Sequence, residues 1–280
     1  MWRTLLGDYP ATRALRQGRV ASSLVPLDFA DVAVPNKAFK RVVRDLEFDV
    51  AELALMTFLM ARSRGVPIRM LPVVLFSRNP LNYLVCHAGT RLDPHKLEGR
   101  ALGARAYTTT TAVWTRALLA DAFGVDLERL RWLTYEEGHV AGVREPANVH
   151  RDAAHADLPA MLLDGAIGAA IVDPVPQNPG IVTVVPDPDG AWRDWRRKTG
   201  AQTLNHVVVV RDSLADDRVR MTELVRLFEK SREQSGQPAD DSFFTGMEAI
   251  RGSLEAGIAA AEAQHLLARP LTADDLVVLG

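Results

Sequence analysis

Apolar positions along this chain switch repeatedly between two periods. Residues 36–46 place Phe39, Val42, Val43 and Leu46 at helical spacing, which predicts an amphipathic helix. The run Phe48-Asp-Val-Ala-Glu-Leu that follows is a strand candidate ending at Glu52, and a helix is expected over 56–63. Strands are expected at 24–27, 68–76, 82–87 and 100–104, with a short helical turn in the run Asp93-Pro-His-Lys. The pattern over 112–123 predicts a strong amphipathic helix stopped by Gly124. Strands at Arg129-Leu-Arg-Trp-Leu-Thr-Tyr and Ile167-Gly-Ala-Ala-Ile-Val flank a helix over 158–165, and Pro174, Pro176 and Pro179 mark a loop. Leu204–Arg211 is the most β-branched run. Beyond it, 221–233, 246–263 and the closing Thr-Ala-Asp-Asp-Leu-Val-Val-Leu-Gly read as mainly helical, with a polar surface loop over 232–242. Strand–helix alternation followed by a helical tail predicts an α/β protein with parallel sheets.

One joint in this pattern stands out. Four threonines, 108–111, sit between the strand at 100–104 and the helix at 112–123. Threonine suits a helix start better than a helix interior. In open parallel sheets, ligands collect at the carboxyl ends of strands, and a helix N-terminus offers free N–H groups and partial positive charge. The joint therefore reads either as an anion-binding turn or as one capping threonine with three that fill space. Tyr107 lies along a flat ligand or packs on the core.

Composition narrows the partners. With 48% apolar and 24% charged residues over 280 positions, the chain has the balance of a folded soluble protein large enough for one big domain or two lobes. The net charge of −2 and the lack of a long basic run argue against nucleic acid. The arginines at 193, 196 and 197 read as a solvated helix face. A single cysteine, Cys86, excludes an internal disulfide and a thiolate zinc site. No signal peptide is read at the start, and no run approaches the roughly 18 apolar residues of a membrane span. The expectation is a cytoplasmic protein with no membrane partner. His139, His150 and His155 lie close in sequence, but the i, i+5 spacing of the last two is not that of a helical zinc pair, so no metal is expected.

Three stretches carry a resemblance: Gly7-Asp8-Tyr9 with Thr12-Arg13-Ala14-Leu15; Phe48-Asp49-Val50-Ala51-Glu52 leading on to Pro72 and Ser77-Arg78; and Tyr107, Thr110 and Ala112-Val113-Trp114 with Phe123-Gly124-Val125. A weaker fourth is Lys198-Thr199-Gly200 leading to Asn205-His206-Val207. Over about residues 5–235 the chain resembles the 4,5-dihydroxyphthalate decarboxylase family. That resemblance implies a two-lobed type 2 periplasmic-binding-protein-like α/β fold with a ligand cleft between the lobes. Residues 1–88 with 207–280 would form the first lobe and 89–206 the second. It also implies a cofactor-free carboxy-lyase for a hydroxylated, phthalate-like aromatic acid. The alternative is a non-catalytic binder or sensor of a small organic anion.

Site residues carry over from the same resemblance. His206 is the general acid/base candidate, with Glu52 as acid/base, acceptor of a ligand hydroxyl or mere helix cap. Asp8 and Arg13 hold substrate or pair with each other, and Arg78 is the first choice for a carboxylate clamp. Asn82, Tyr107, Thr108 and Thr110 complete the expected substrate contacts. Leu81 and Asn82 stand where the family pattern has Arg and His, and an amide transfers no proton near neutral pH. The C-terminal helices pack on the first lobe or form a subunit contact, which leaves a homo-oligomer open.

Overall fold

The computed structural model describes residues 1–236 and 242–279. The chain opens with β1 (Trp2–Leu5), α1 (Pro10–Arg16), β2 (Leu27–Phe29), α2 (Phe39–Arg44), β3 (Val50–Ala54), α3 (Leu55–Ser63) and β4 (Ile68–Ser77). It continues with β5 (Leu84–His87), β6 (Ala101–Ala104), α4 (Thr110–Phe123), β7 (Arg131–Thr134), β8 (Val149–Arg151), α5 (Leu158–Leu163), β9 (Ala169–Ile171), β10 (Ile181–Thr183) and α6 (Pro188–Thr199). It closes with β11 (Leu204–Arg211), α7 (Asp212–Ala215), α8 (Arg218–Glu233), β12 (Phe244–Thr245), α9 (Met247–Ala263) and α10 (Ala273–Leu276).

These elements divide into two compact units. The first holds residues 1–78, 139–141 and 204–280; the second holds 79–138 and 142–203. In chain order the divisions at 78/79 and 203/204 fall earlier than the crossings read from the sequence. The segment Leu84–His87 pairs with β9 and β10, and so belongs to the second sheet.

The first unit is built on a six-stranded sheet of order β12-β4-β11-β3-β1-β2. β1 runs parallel to β2 and β3, whereas β11 runs antiparallel to both β3 and β4. The expectation of purely parallel sheets is therefore corrected. The strand that returns from the far end of the chain enters the middle of the sheet in the opposite sense. Its β-branched run follows from burial on both faces, since a strand covered twice needs apolar residues at every position. Val208 and Val210 pack with Leu71, Val73 and Leu75 of β4 against Leu15 of α1 and Leu224 and Phe228 of α8. Val207 and Val209, equally buried, alternate to the other face, and α3 and α9 also contact β11. The tail expected to be helical makes only α10 before Val277 forms a parallel bridge to Met70. Of the loop expected over 232–242, the first two residues end α8, and 237–241 lie outside the described residues, as does Gly280.

The second unit has the sheet order β10-β5-β9-β6-β7-β8. β6 runs parallel to β7 and β9, and β7 parallel to β8, while β5 is antiparallel to β9 and β10. Leu158 and Leu162 of α5 pack with Val85, Ala170 and Ile181 of the sheet. The helix expected as amphipathic at 112–123 is α4, and it is buried along most of its length, Arg116 included. Gly124 ends it in the left-handed conformation at φ 66°, which glycine adopts without a Cβ penalty. Among the described residues no helix is long and apolar enough to cross a membrane.

Candidate functional site

The first unit gathers its reactive side chains at one end of the central strands of its sheet. β1 and β3 are parallel, so both end there, and the antiparallel β11 begins there. Across the β3/β11 ladder, His206 pairs with Ala54 and Glu52 with Val208. Glu52 and His206 are thus diagonal neighbours on one face, a separation that long side chains bridge. Their side chains meet, with His206 Nδ1 2.5 Å from Glu52 Oε1. Register shifts between Leu204 and Val209 along β11 give the local irregularity that re-aims side chains at such sites.

Glu52 is fully buried. A buried carboxylate is costly unless charge-assisted hydrogen bonds replace its water, and three groups do so here. The Gly7 N–H donates to Oε2 at 2.8 Å, the Tyr9 hydroxyl donates to Oε1 at 2.7 Å, and His206 Nδ1 shares Oε1. Gly7 and Tyr9 come from the turn between β1 and α1. Thr12 fixes that turn by accepting from the Tyr9 N–H at 2.9 Å and donating to the Gly7 carbonyl at 2.6 Å. A Cβ at Gly7 would stand 2.4 Å from Tyr9 Cζ, so a side chain there would displace the Tyr9 ring. Burial and the Glu52 carboxylate together push the Tyr9 phenol well above its ordinary pKa, so it stays a donor.

Aromatic rings surround the imidazole. Phe76 of β4 lies 4.4 Å from His206 ring to ring, and Phe39, just at the start of α2, meets it edge-on at 5.3 Å. Tyr9 contacts Phe76 at 5.7 Å. His139 also meets Phe39 edge-on, at 5.4 Å, and its Nδ1 lies 2.9 Å from the Thr57 hydroxyl. With Nδ1 engaged by a carboxylate, a histidine presents Nε2 for proton transfer. Nε2 of His206 has no hydrogen-bond partner among the described residues, and the side chain remains 15% exposed. The arrangement is an oriented acid/base ring in an aromatic setting.

The other residues of the first unit fall elsewhere. Asp8 and Arg13 pair with each other at 3.0 Å, both about half exposed, a pairing of small energetic consequence. Glu52 caps no helix, since Ala54 occupies the cap of α3. Arg78 directly follows β4 and is partly buried.

In the second unit Thr109 is the cap of α4, accepting from the Ala112 N–H at 3.3 Å. Thr108 and Thr110, each 4% exposed, flank it. Thr108 lies so close to Gly138 that a Cβ on that glycine would stand 2.3 Å from the hydroxyl. Tyr107 is buried. Its ring lies 3.7 Å below the Arg116 guanidinium, and its carbonyl accepts from Arg116 at 2.8 Å. Trp132 receives the same guanidinium at 5.2 Å. Burial lowers the Arg116 pKa to about 10, so the group keeps its charge at neutral pH. Asn82 donates to Asp189 of α6 at 3.2 Å, beside Asn79, which donates to the same oxygen at 2.9 Å. His150 and His155 stand 5.7 Å apart in the second unit, whereas His139 groups with the first. Among the described residues no cluster of three or more His, Cys, Asp or Glu is placed to hold a metal ion.

Tyr9, Phe39, Phe76 and Arg116 were not singled out as site residues from the sequence. The one usable signal was Gly7-Asp-Tyr ahead of Pro10, a tight turn into a helix directly after an apolar run.

No family model matches the chain. It is 23% identical over 250 residues to a Comamonas testosteroni protein described as 4,5-dihydroxyphthalate decarboxylase, covering 81% of this chain and 73% of that one. It is 26% identical over 208 residues to a Pseudomonas putida protein of the same description, covering 69% and 80%. Among solved structures, the periplasmic aliphatic sulphonate binding protein SsuA from Escherichia coli superposes with a TM-score of 0.63 at 12% identity, over 98% of this chain and 90% of that one. The fold is thus of the two-lobed periplasmic-binding-protein type.

Proposed function

We propose that this chain is a cofactor-independent decarboxylase of a hydroxylated aromatic carboxylic acid, with His206 as the proton donor. The observation that carries the reading is the buried Glu52 carboxylate binding Nδ1 of His206 while Nε2 stays open beside aromatic rings. The two distant relatives described as 4,5-dihydroxyphthalate decarboxylase support the reaction class.

The chemistry asks for one well-placed acid. A ring hydroxyl para to the leaving carboxylate feeds electron density to the carboxyl-bearing carbon. That carbon takes the proton from the imidazolium Nε2. The ring-to-carboxylate bond then breaks, its electron pair returns to the ring, and CO2 departs. The neutral imidazole recovers a proton from solvent, so one proton is consumed per turnover. Glu52 orients the ring by holding Nδ1, as a carboxylate does for a catalytic histidine elsewhere. Arg78, which directly follows β4 at the end where β11 begins, is the proposed holder of a ligand carboxylate within the first unit.

The test is incubation of the purified protein with 4,5-dihydroxyphthalate, with and without a chelator, following substrate and 3,4-dihydroxybenzoate by chromatography. Chelator-insensitive conversion is expected. No conversion together with a raised melting temperature would leave a binder of aromatic acids. No conversion and no shift would remove this substrate class.

A further inference from the structure

We infer that Tyr9 is a positioning residue for His206: by sharing the Glu52 Oε1 atom with the imidazole, its hydroxyl sets how firmly the carboxylate holds the imidazolium. Tyr9 Oη lies 2.7 Å and His206 Nδ1 2.5 Å from that one oxygen, while the second carboxylate oxygen is taken by the Gly7 N–H. Two donors on a single acceptor compete for its charge. Each bond from Tyr9 withdraws electron density that would otherwise stabilise protonated His206. The phenol therefore weakens the grip of Glu52 and keeps the ring willing to release its proton.

The placement of Tyr9 serves this contact. The ring folds back over Gly7, where a Cβ would displace it, and rests edge-on against Phe76, which also packs on His206. The groups facing His206 are Glu52 from β3, Tyr9 from the turn into α1, Phe76 from β4 and Phe39 from α2. Of these only Glu52 and Tyr9 ionise; the further titratable ring nearby is His139, which contacts Phe39 edge-on at 5.4 Å. Tyr9 is thus the group placed to modulate the pair through its shared oxygen.

The inference deepens the proposed role of His206 and rests on the same site. Its test needs no substrate, so a wrong substrate class leaves the result standing. The His206 ring is titrated by NMR in the parent protein and in Tyr9→Phe, which keeps the aromatic packing and removes only the hydroxyl. The imidazole of the variant is expected to bind its proton about threefold or more tightly, the scale of a partly lost charged hydrogen bond. In a Glu52→Gln background the same change is expected to have no effect. An unchanged or weakened proton affinity in Tyr9→Phe, or an effect that persists undiminished without the carboxylate, overturns the inference. Should the variants misfold, the parent protein answers alone. The Tyr9 ring carbon bearing the hydroxyl is expected to show an NMR inflection at the His206 midpoint, and a flat Tyr9 resonance across that range overturns the coupling.

Discussion

Glu52 in the first unit and Arg116 in the second are both fully buried charged groups, and their surroundings differ in kind. Glu52 is met by three hydrogen-bond donors, one of them a titratable ring with an open nitrogen. Arg116 lies against the faces of Tyr107 and Trp132 and donates to a backbone carbonyl. The first arrangement can change protonation state during a reaction. The second keeps a constant charge beneath the Thr108 turn and holds Tyr107 in place. A buried charge thus marks chemistry only where its partner can exchange a proton; where its partners are π faces and carbonyls, it marks architecture and local potential.

The largest test of this contrast is His206→Ala. Turnover is expected to fall by about 10²–10⁴-fold, the usual worth of a positioned acid/base, while equilibrium binding of the substrate persists. Unchanged turnover would move the chemistry away from the first unit. Next come the two buried charges themselves. Glu52→Ala strands the three donors and should lower unfolding free energy by about 3–5 kcal/mol. Arg116→Met replaces a buried cation with an apolar chain of similar reach and should cost about 1–2 kcal/mol or less. Denaturant melts of both variants compare them directly, and equal losses would erase the distinction.

A smaller effect belongs to the threonine turn. Thr109→Ala removes the cap of α4 and should lower the unfolding free energy by about 1 kcal/mol. An unchanged denaturant melt would mean that the cap contributes nothing to the second unit. The smallest signal is spectroscopic. The Tyr9 phenol is held above its unfolded value, so the stability it contributes is complete below about pH 10 and is lost as pH rises toward the folded value. In an alkaline absorbance titration Tyr9 should stay protonated until the fold opens. Tyr9→Phe should remove only that late step.

The sequence made the elements with a strong period legible. Leu204–Arg211 and the helix behind the threonines stand where their patterns put them, with α4 starting two residues early because Thr109 caps it. α1, a short helix begun at Pro10, has no reading in the pattern. The direction of β11 was also hidden, since a run of valines looks the same whichever way the strand is laid. Glu52 and His206 were named, but from resemblance. Their contact spans 154 positions in the chain and exists only because β11 lies beside β3. Tyr9 is legible only as part of Gly7-Asp-Tyr and not as a partner of Glu52, which lies 43 positions away. No reading attaches to Arg116, because an arginine inside a pattern taken as amphipathic is unremarkable until the helix is found buried along most of its length.

The place of β11 has a consequence for synthesis. This strand lies between β3 and β4, yet it leaves the ribosome only after the whole second unit. Until residue 211 emerges, β3 and β4 face each other across a gap with bare ladder edges, the kind of surface that recruits foreign strands. The second unit, made of a nearly continuous stretch, can collapse first. The Glu52–His206 pair waits for this central strand, so a nascent or truncated chain ending before Leu204 carries Glu52 without the ring it orients and is an aggregation hazard.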